Sequence, residues 1–217
     1  MGKPTVIVLM AGSAIDLGDA ADRANAVLLG WYPGARGGRA VAELLLGKVS
    51  PSGKLPVTFY RNSQLDEMPA FTDYSMQGRT YRYFPGEPMY PFGYGLTYGD
   101  VAVTAAQAAR EGDVIRVRAT AQNASGVPTD EVVQVYCQNE GSDNAPRNPR
   151  LVGFRRIHCP AGADVDVEIA VPAAALRVVD EAGNRVDEGQ CVFFVGVGQP
   201  DSRTQALTGH ASVRVTL

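Results

Sequence analysis

The chain of 217 residues carries 20 Lys and Arg against 23 Asp and Glu, a net charge of −3 with its two histidines neutral. That balance excludes the basic footprint of a nucleic-acid binder and a patch suited to an anionic membrane. At 45% hydrophobic and 20% charged it is too apolar for disorder. No apolar run approaches the roughly 20 residues that span a bilayer, so a soluble protein of one large or two modest domains is expected.

The first 60 residues alternate strand-like and helix-like patterns. Thr5 to Met10 (TVIVLM) is a continuous apolar run, the mark of a strand covered on both faces, and Ala11-Gly12-Ser13 closes it with a turn. Ala26 to Trp31 (AVLLGW) reads as a second strand, ended by Tyr32-Pro33-Gly34. From Arg39 to Gly47 the apolar residues Ala40, Val41, Leu44 and Leu45 share one helical face, with Gly47 as the stop. Leu55 to Tyr60 (LPVTFY) reads as a third strand. Strand, helix and strand in this order predict a partial parallel α/β sheet over residues 1–60. Its outer strands and apolar faces are expected to lack cover, which costs stability unless something else packs there.

Residues 61–100 show no lasting period and hold Tyr74, Tyr81, Tyr83, Tyr90, Tyr94 and Tyr98, which predicts an extended strap packed on something larger. From 101 to 217 the period becomes two. Asp113 to Gln122, Asp164 to Val171 and Ser212 to Thr216 alternate, whereas Glu131 to Cys137, Leu151 to Ile157 and Cys191 to Val197 read as more fully buried strands. Turn clusters separate them, and no helix signal exceeds Ala173 to Leu176. About seven short strands in this pattern predict an all-β immunoglobulin or fibronectin type III-like sandwich. The four aromatics there, Tyr136, Phe154, Phe193 and Phe194, are assigned to the core rather than to a sugar-binding platform.

Cys137, Cys159 and Cys191 are read as small buried or half-buried thiols. A Cys137–Cys191 bridge requires both strands to face one core, which the sequence leaves open. A zinc set of Cys137, His158, Cys159 and Cys191 is disfavoured, because adjacent residues on a strand point to opposite faces.

Several ordered blocks carry a resemblance. They are Gly30-Trp31-Tyr32-Pro33-Gly34, Gly37-Gly38-Arg39-Ala40-Val41-Ala42-Glu43-Leu44-Leu45, and Pro51-Ser52-Gly53-Lys54-Leu55-Pro56-Val57-Thr58. Asp73-Tyr74-Ser75-Met76 and Gly78-Arg79-Thr80-Tyr81-Arg82-Tyr83-Phe84 follow, then Gly86-Glu87-Pro88-Met89-Tyr90-Pro91-Phe92-Gly93-Tyr94-Gly95-Leu96-Thr97-Tyr98. Over nearly its whole length the chain resembles the C-terminal part of glycoside hydrolase family 3, including its fibronectin-like module. That resemblance implies exo-acting β-glucosidase or β-xylosidase kinship. It also implies a retaining mechanism with an Asp nucleophile on a (β/α)8 barrel and a Glu acid/base on a loop of the second domain.

Nothing in the 217 residues matches the barrel, and neither carboxylate can be placed, so no catalytic residue, no metal and no cofactor are assigned. Among Asp16, Asp19, Glu43, Asp66, Glu67, Asp73 and Glu87 no opposed pair is identified. Candidate substrate-rim or interdomain residues are Arg79, Tyr81, Arg82, Asp73 and Asp16, with Ser13 and Arg36 on the same strand-end loops. The plainer reading makes Arg79, Tyr81 and Arg82 clamps of the strap, and Asp16 a solvated or backbone-capping group. The expected partners are a barrel domain, in cis or as a separate chain, and a β-linked gluco- or xylo-oligosaccharide. Neither nucleic acid nor membrane is expected. The alternatives are a non-catalytic sugar-binding or scaffolding module and one subunit of a split glycosidase.

Overall fold

The computed structural model describes residues 2–217. Near the N-terminus β1 (Val6–Leu9) and β2 (Ala26–Leu29) pair in parallel, Val6 opposite Ala26 and Leu9 opposite Leu29. Between them runs α1 (Asp19–Arg23), a short helix that the sequence pattern does not announce, and α2 (Gly37–Leu45) follows β2. The sheet ends at two strands. Both remain half-exposed rather than covered on each face, because no third strand flanks them among the described residues.

The expected third strand, Leu55 to Tyr60, lies elsewhere. It runs antiparallel to the strap, where Leu55 N donates to Tyr94 O at 2.8 Å and Phe59 exchanges two bonds with Tyr90. Pro56 and Pro91 have no N–H to give, so this pairing stays a broken ladder rather than a strand. The strap itself makes two single turns, α3 (Asn62–Leu65) and α4 (Thr80–Tyr83).

The sandwich stacks β3 (Val101–Glu111), β4 (Val114–Asn123) and β7 (Asp164–Pro172) against a second sheet. That sheet comprises β5 (Thr129–Glu140), β6 (Arg150–Cys159), β10 (Gln190–Gly196) and β11 (Val213–Thr216), in the order β11-β10-β5-β6. A two-residue ribbon, β8 (Val178–Val179) with β9 (Arg185–Val186), closes one end. Inward residues of both sheets, among them Ile115, Val117, Val133, Val171, Phe193 and Val195, form the core by the alternation that period two demands.

Strand β5 is buried on both faces. One faces that core; on the other, Gln134 donates to Gly93 O at 2.9 Å and Val197 O at 3.1 Å, and accepts from the Tyr136 hydroxyl at 2.7 Å. The strap thus forms an additional layer over this sheet. β6 corrects the expectation of a buried strand: it is an edge, and Phe154 is 66% exposed rather than in the core. A second correction is α5 (Ser202–Thr208), a true helix where no helix signal was identified.

The three cysteines are free thiols. Cys137 and Cys191 do face the same interior; the interaction between the two thiols, with burial, raises Cys137, and the same interaction, helped by Arg150, lowers Cys191 to about 7. His158 projects outward to Asp130 at 2.8 Å while Cys159 is buried, so the four zinc candidates do not converge.

Candidate functional site at the strap and strand-end loops

The loops that follow β1 and β2 lie side by side. The Tyr32 ring occupies the space beside Gly12 that a side chain there would enter. Ser13 and Arg36 sit exposed on these loops. Asp16 does not face open solvent with a free carboxylate: one oxygen accepts from Gly18 N at 2.8 Å and the other from Asn62 N at 2.7 Å. Those two backbone bonds, Asn62 first, hold its carboxyl below the usual aspartate value. Asp16 therefore ties the β1 loop to the first turn of the strap.

Asp73 lies at the strap's outer bend, accepting from Ser75 N at 2.9 Å in an Asx turn that lowers its pKa. Beside it Phe71 and Tyr74 are 89% and 84% exposed, as bare as Tyr32 on the β2 loop at 84%. Arg79 turns back on the strap: its guanidinium donates to Pro69 O at 2.7 Å and to Ala70 O. Tyr81 reaches the sandwich. Its ring stacks on Phe92 at 4.1 Å, and its hydroxyl accepts from Leu151 N at 3.1 Å. Arg82 is exposed and lies over the Tyr81 ring at 5.8 Å. Arg79 and Tyr81 thus anchor opposite ends of one short segment. Thr80 between them is held at φ 58°, a conformation that costs a β-branched residue about 1–3 kcal/mol and persists only where both flanks are fixed.

Two interactions tie residues 48–60 to the sandwich. Lys54 pairs with Glu131 at 2.7 Å, with only 9% and 5% of the two side chains exposed, and also donates to Gly95 O at 2.6 Å. Burial raises Glu131 above its ordinary value, and the Lys54 charge opposes that rise. The Ser50 and Thr129 hydroxyls meet at 2.7 Å.

A polar cleft of about 310 Å³ opens between strap residues 84–88, the loop 147–149 and residues 199–203. Glu87 and Asp201 both line it. Their surroundings differ. Asp201 caps α5 by accepting from Thr204 N at 2.6 Å, and its other oxygen is sealed from solvent without a partner. Burial, with Glu87 nearby, raises its pKa. Glu87 instead faces Arg203 at 3.9 Å. None of the cleft residues from 199 onward was identified from sequence. The signal was present in Asp201 as an N-cap and Gly209 at φ 78° as the stop of α5.

The family models agree with this layout. Residues 1–98 match the glycosyl hydrolase family 3 C-terminal domain and residues 131–199 the fibronectin type III-like domain. The chain belongs to glycoside hydrolase family 3. A xylan 1,4-β-xylosidase of Xylanibacter ruminicola is 36% identical over 95% of this family 3 chain and 24% of its own length. A periplasmic β-glucosidase of Salmonella typhimurium is 31% identical over 90% of the chain and 28% of its own. Among solved structures, β-glucosidase 3B of Thermotoga neapolitana superposes with a TM-score of 0.84 at 28% identity, covering 100% of this chain and 31% of that one. The family 3 chain therefore spans about a quarter to a third of the relatives it matches, and corresponds to their C-terminal α/β and fibronectin-like region.

Proposed function

We propose that this chain serves an exo-acting, retaining β-glycosidase of the glucosidase or xylosidase type as its C-terminal scaffold. In this reading the nucleophile and the acid/base come from a barrel domain, in cis or on a separate chain, and the substrate is a β-linked gluco- or xylo-oligosaccharide. Residues 61–100 act as a strap joining the α/β part (1–60) to the sandwich (101–217). The observation that carries the reading is the set of bare aromatics Tyr32, Phe71 and Tyr74 on the strand-end loop and the strap bend. In this reading the barrel packs against these rings and covers them. The relatives' names supply the reaction class.

Two retaining carboxyl groups must stand about 5–5.5 Å apart across the scissile bond, whereas the shared cleft here offers one sealed and one salt-bridged carboxylate. The purified chain is expected to release no 4-nitrophenol from aryl β-xylosides or β-glucosides. The same chain joined to a family 3 barrel is expected to hydrolyse them. Hydrolysis by the chain alone that disappears in Glu87→Gln would overturn the proposal.

A further inference from the structure

We propose that Cys191 and Cys137 form an oxidation site: a peroxide converts Cys191 to a sulfenic acid, and Cys137 resolves it into a disulfide that ties β10 to β5. The inference rests on the interior of the sandwich and stands apart from the glycosidase reading above.

The register brings the groups together. Cys137 on β5 stands opposite Phe193 of β10 on one side and Arg150 of β6 on the other, and Cys191 stands opposite Asn139. Residues two apart on a strand share a face, so both thiols look into the same interior, offset along one diagonal. The Asn139 amide touches both, accepting from Cys137 Sγ at 4.0 Å and donating to Cys191 Sγ at 3.7 Å. Its position is fixed by bonds to Leu176 O at 3.0 Å and Glu188 O at 2.9 Å. The two thiols also interact directly.

Arg150 is the second observation. It is 8% exposed, and its guanidinium donates to the carbonyls of Ala175 and Leu176, with no carboxylate in ion-pair reach among the described residues. A buried cation ordinarily has an anionic partner. Here it favours the ionised form of both thiols. Arg110 reinforces that field at Cys191, and Asp187 opposes it.

Access separates the roles. Cys191, near the start of β10, is partly exposed and can meet a small oxidant, whereas Cys137 is buried beside it. A stabilised, reachable thiolate next to a resolving thiol is the arrangement that holds oxidation at its reversible stage. Cys159 serves as an internal control. It is buried at the far end of β6, and burial, with Glu131 and Asp130 nearby, pushes it up to about 11.

The Cys191 thiolate attacks one oxygen of hydrogen peroxide and breaks the O–O bond. Hydroxide leaves and takes up the proton that Cys191 released, giving water. The Cys137 sulfur then attacks the sulfenic sulfur, the S–O bond breaks, and the Cys137 proton leaves with the hydroxide as a second water. The two thiols lose two electrons, and the peroxide gains them.

The test treats the 217-residue chain with hydrogen peroxide near neutral pH, quenches it with N-ethylmaleimide in denaturant, and maps the peptides by mass without reductant. A linked Cys137–Cys191 peptide that dithiothreitol removes is expected, with Cys159 left free to alkylate. In Cys137→Ser the sulfenic acid has no resolving partner, so dimedone should label Cys191. Arg150→Met should slow loss of the Cys191 thiol about tenfold, whereas Arg150→Lys keeps a cation and should retain most of the rate. If either arginine variant fails to melt cooperatively, the wild-type and Cys137→Ser results decide. Absence of the linked peptide, linkage through Cys159, or accumulation of sulfinic acid at Cys191 in wild type overturns the proposal. So does a Cys137→Ser chain that dimedone leaves unlabelled, or an unchanged rate in a folded Arg150→Met.

Discussion

Replacing Lys54 by Met tests the joint between the two halves. The substitution keeps the length and apolar stem of the side chain but removes the cation that faces Glu131 at 2.7 Å in a nearly closed environment. Breaking a buried pair by removing one member costs about 3–5 kcal/mol, because the remaining charge is left uncompensated. Gly95 O also loses its Lys54 donor. At about 2–4 °C per kcal/mol for a chain of this size, the thermal midpoint at neutral pH should fall by about 6–20 °C.

The pH dependence separates this account from simple loss of packing. Glu131 already titrates above its ordinary value, so its contribution makes the fold less stable as pH rises from 4.5 through the raised value. Without Lys54 the rise grows, and the deficit should be greatest at neutral pH. It should shrink toward pH 4, where a protonated Glu131 needs no cation. Calorimetry of Lys54→Met between pH 4 and 8 measures it, with Lys54→Met/Glu131→Leu expected to recover most of the loss. A midpoint within about 2 °C of wild type at pH 7, or a deficit independent of pH, refutes the reasoning.

Three further outcomes are expected. Gly95→Ala would drive a Cβ into Gly53 O, a backbone atom that cannot turn aside, so urea titration should show a loss of about 1–3 kcal/mol or more. Asp16→Ala removes acceptors for two backbone N–H groups and should cost about 0.5–2 kcal/mol at pH 7. Because the Asp16 pKa is lowered, its contribution is present above the ordinary value of 3.8 and fades as pH falls through the lowered one, so wild type and variant should converge in acid. Iodoacetamide at pH 7 should label Cys191, lowered to about 7 and partly exposed, ahead of the buried Cys137 and Cys159, as peptide mass mapping would report. Equal labelling of all three would contradict the thiol pairing.

The sandwich was legible because alternation and turn clusters are local signals. β4, β5, β7 and β10 fall within a few residues of their predicted runs. β3 is written largely in alanine (VAVTAAQAARE), a poor strand former, and becomes a strand because β4 pairs with it from Val101 to Glu111. Phe154 misled because an apolar run does not distinguish an edge from an interior strand. LPVTFY misled because its partner, residues 90–94, is non-local and its prolines interrupt the ladder. At the site, the clustering of Arg79, Tyr81 and Arg82 was visible, but their partners were not. Tyr81 meets Leu151 N across 70 residues of sequence.

The double cover over β5 has a consequence for anyone transplanting this module. A sandwich excised at residue 101 would bring Tyr136 and the Gln134 amide to the surface, since Gly93 and Phe92 now shelter them. Such a graft would present a sticky new face along its middle strands. A portable cassette needs the aromatic stretch around residues 81–98 as its own lining, so shuffling this domain between enzymes without that stretch should yield aggregates rather than chimaeras.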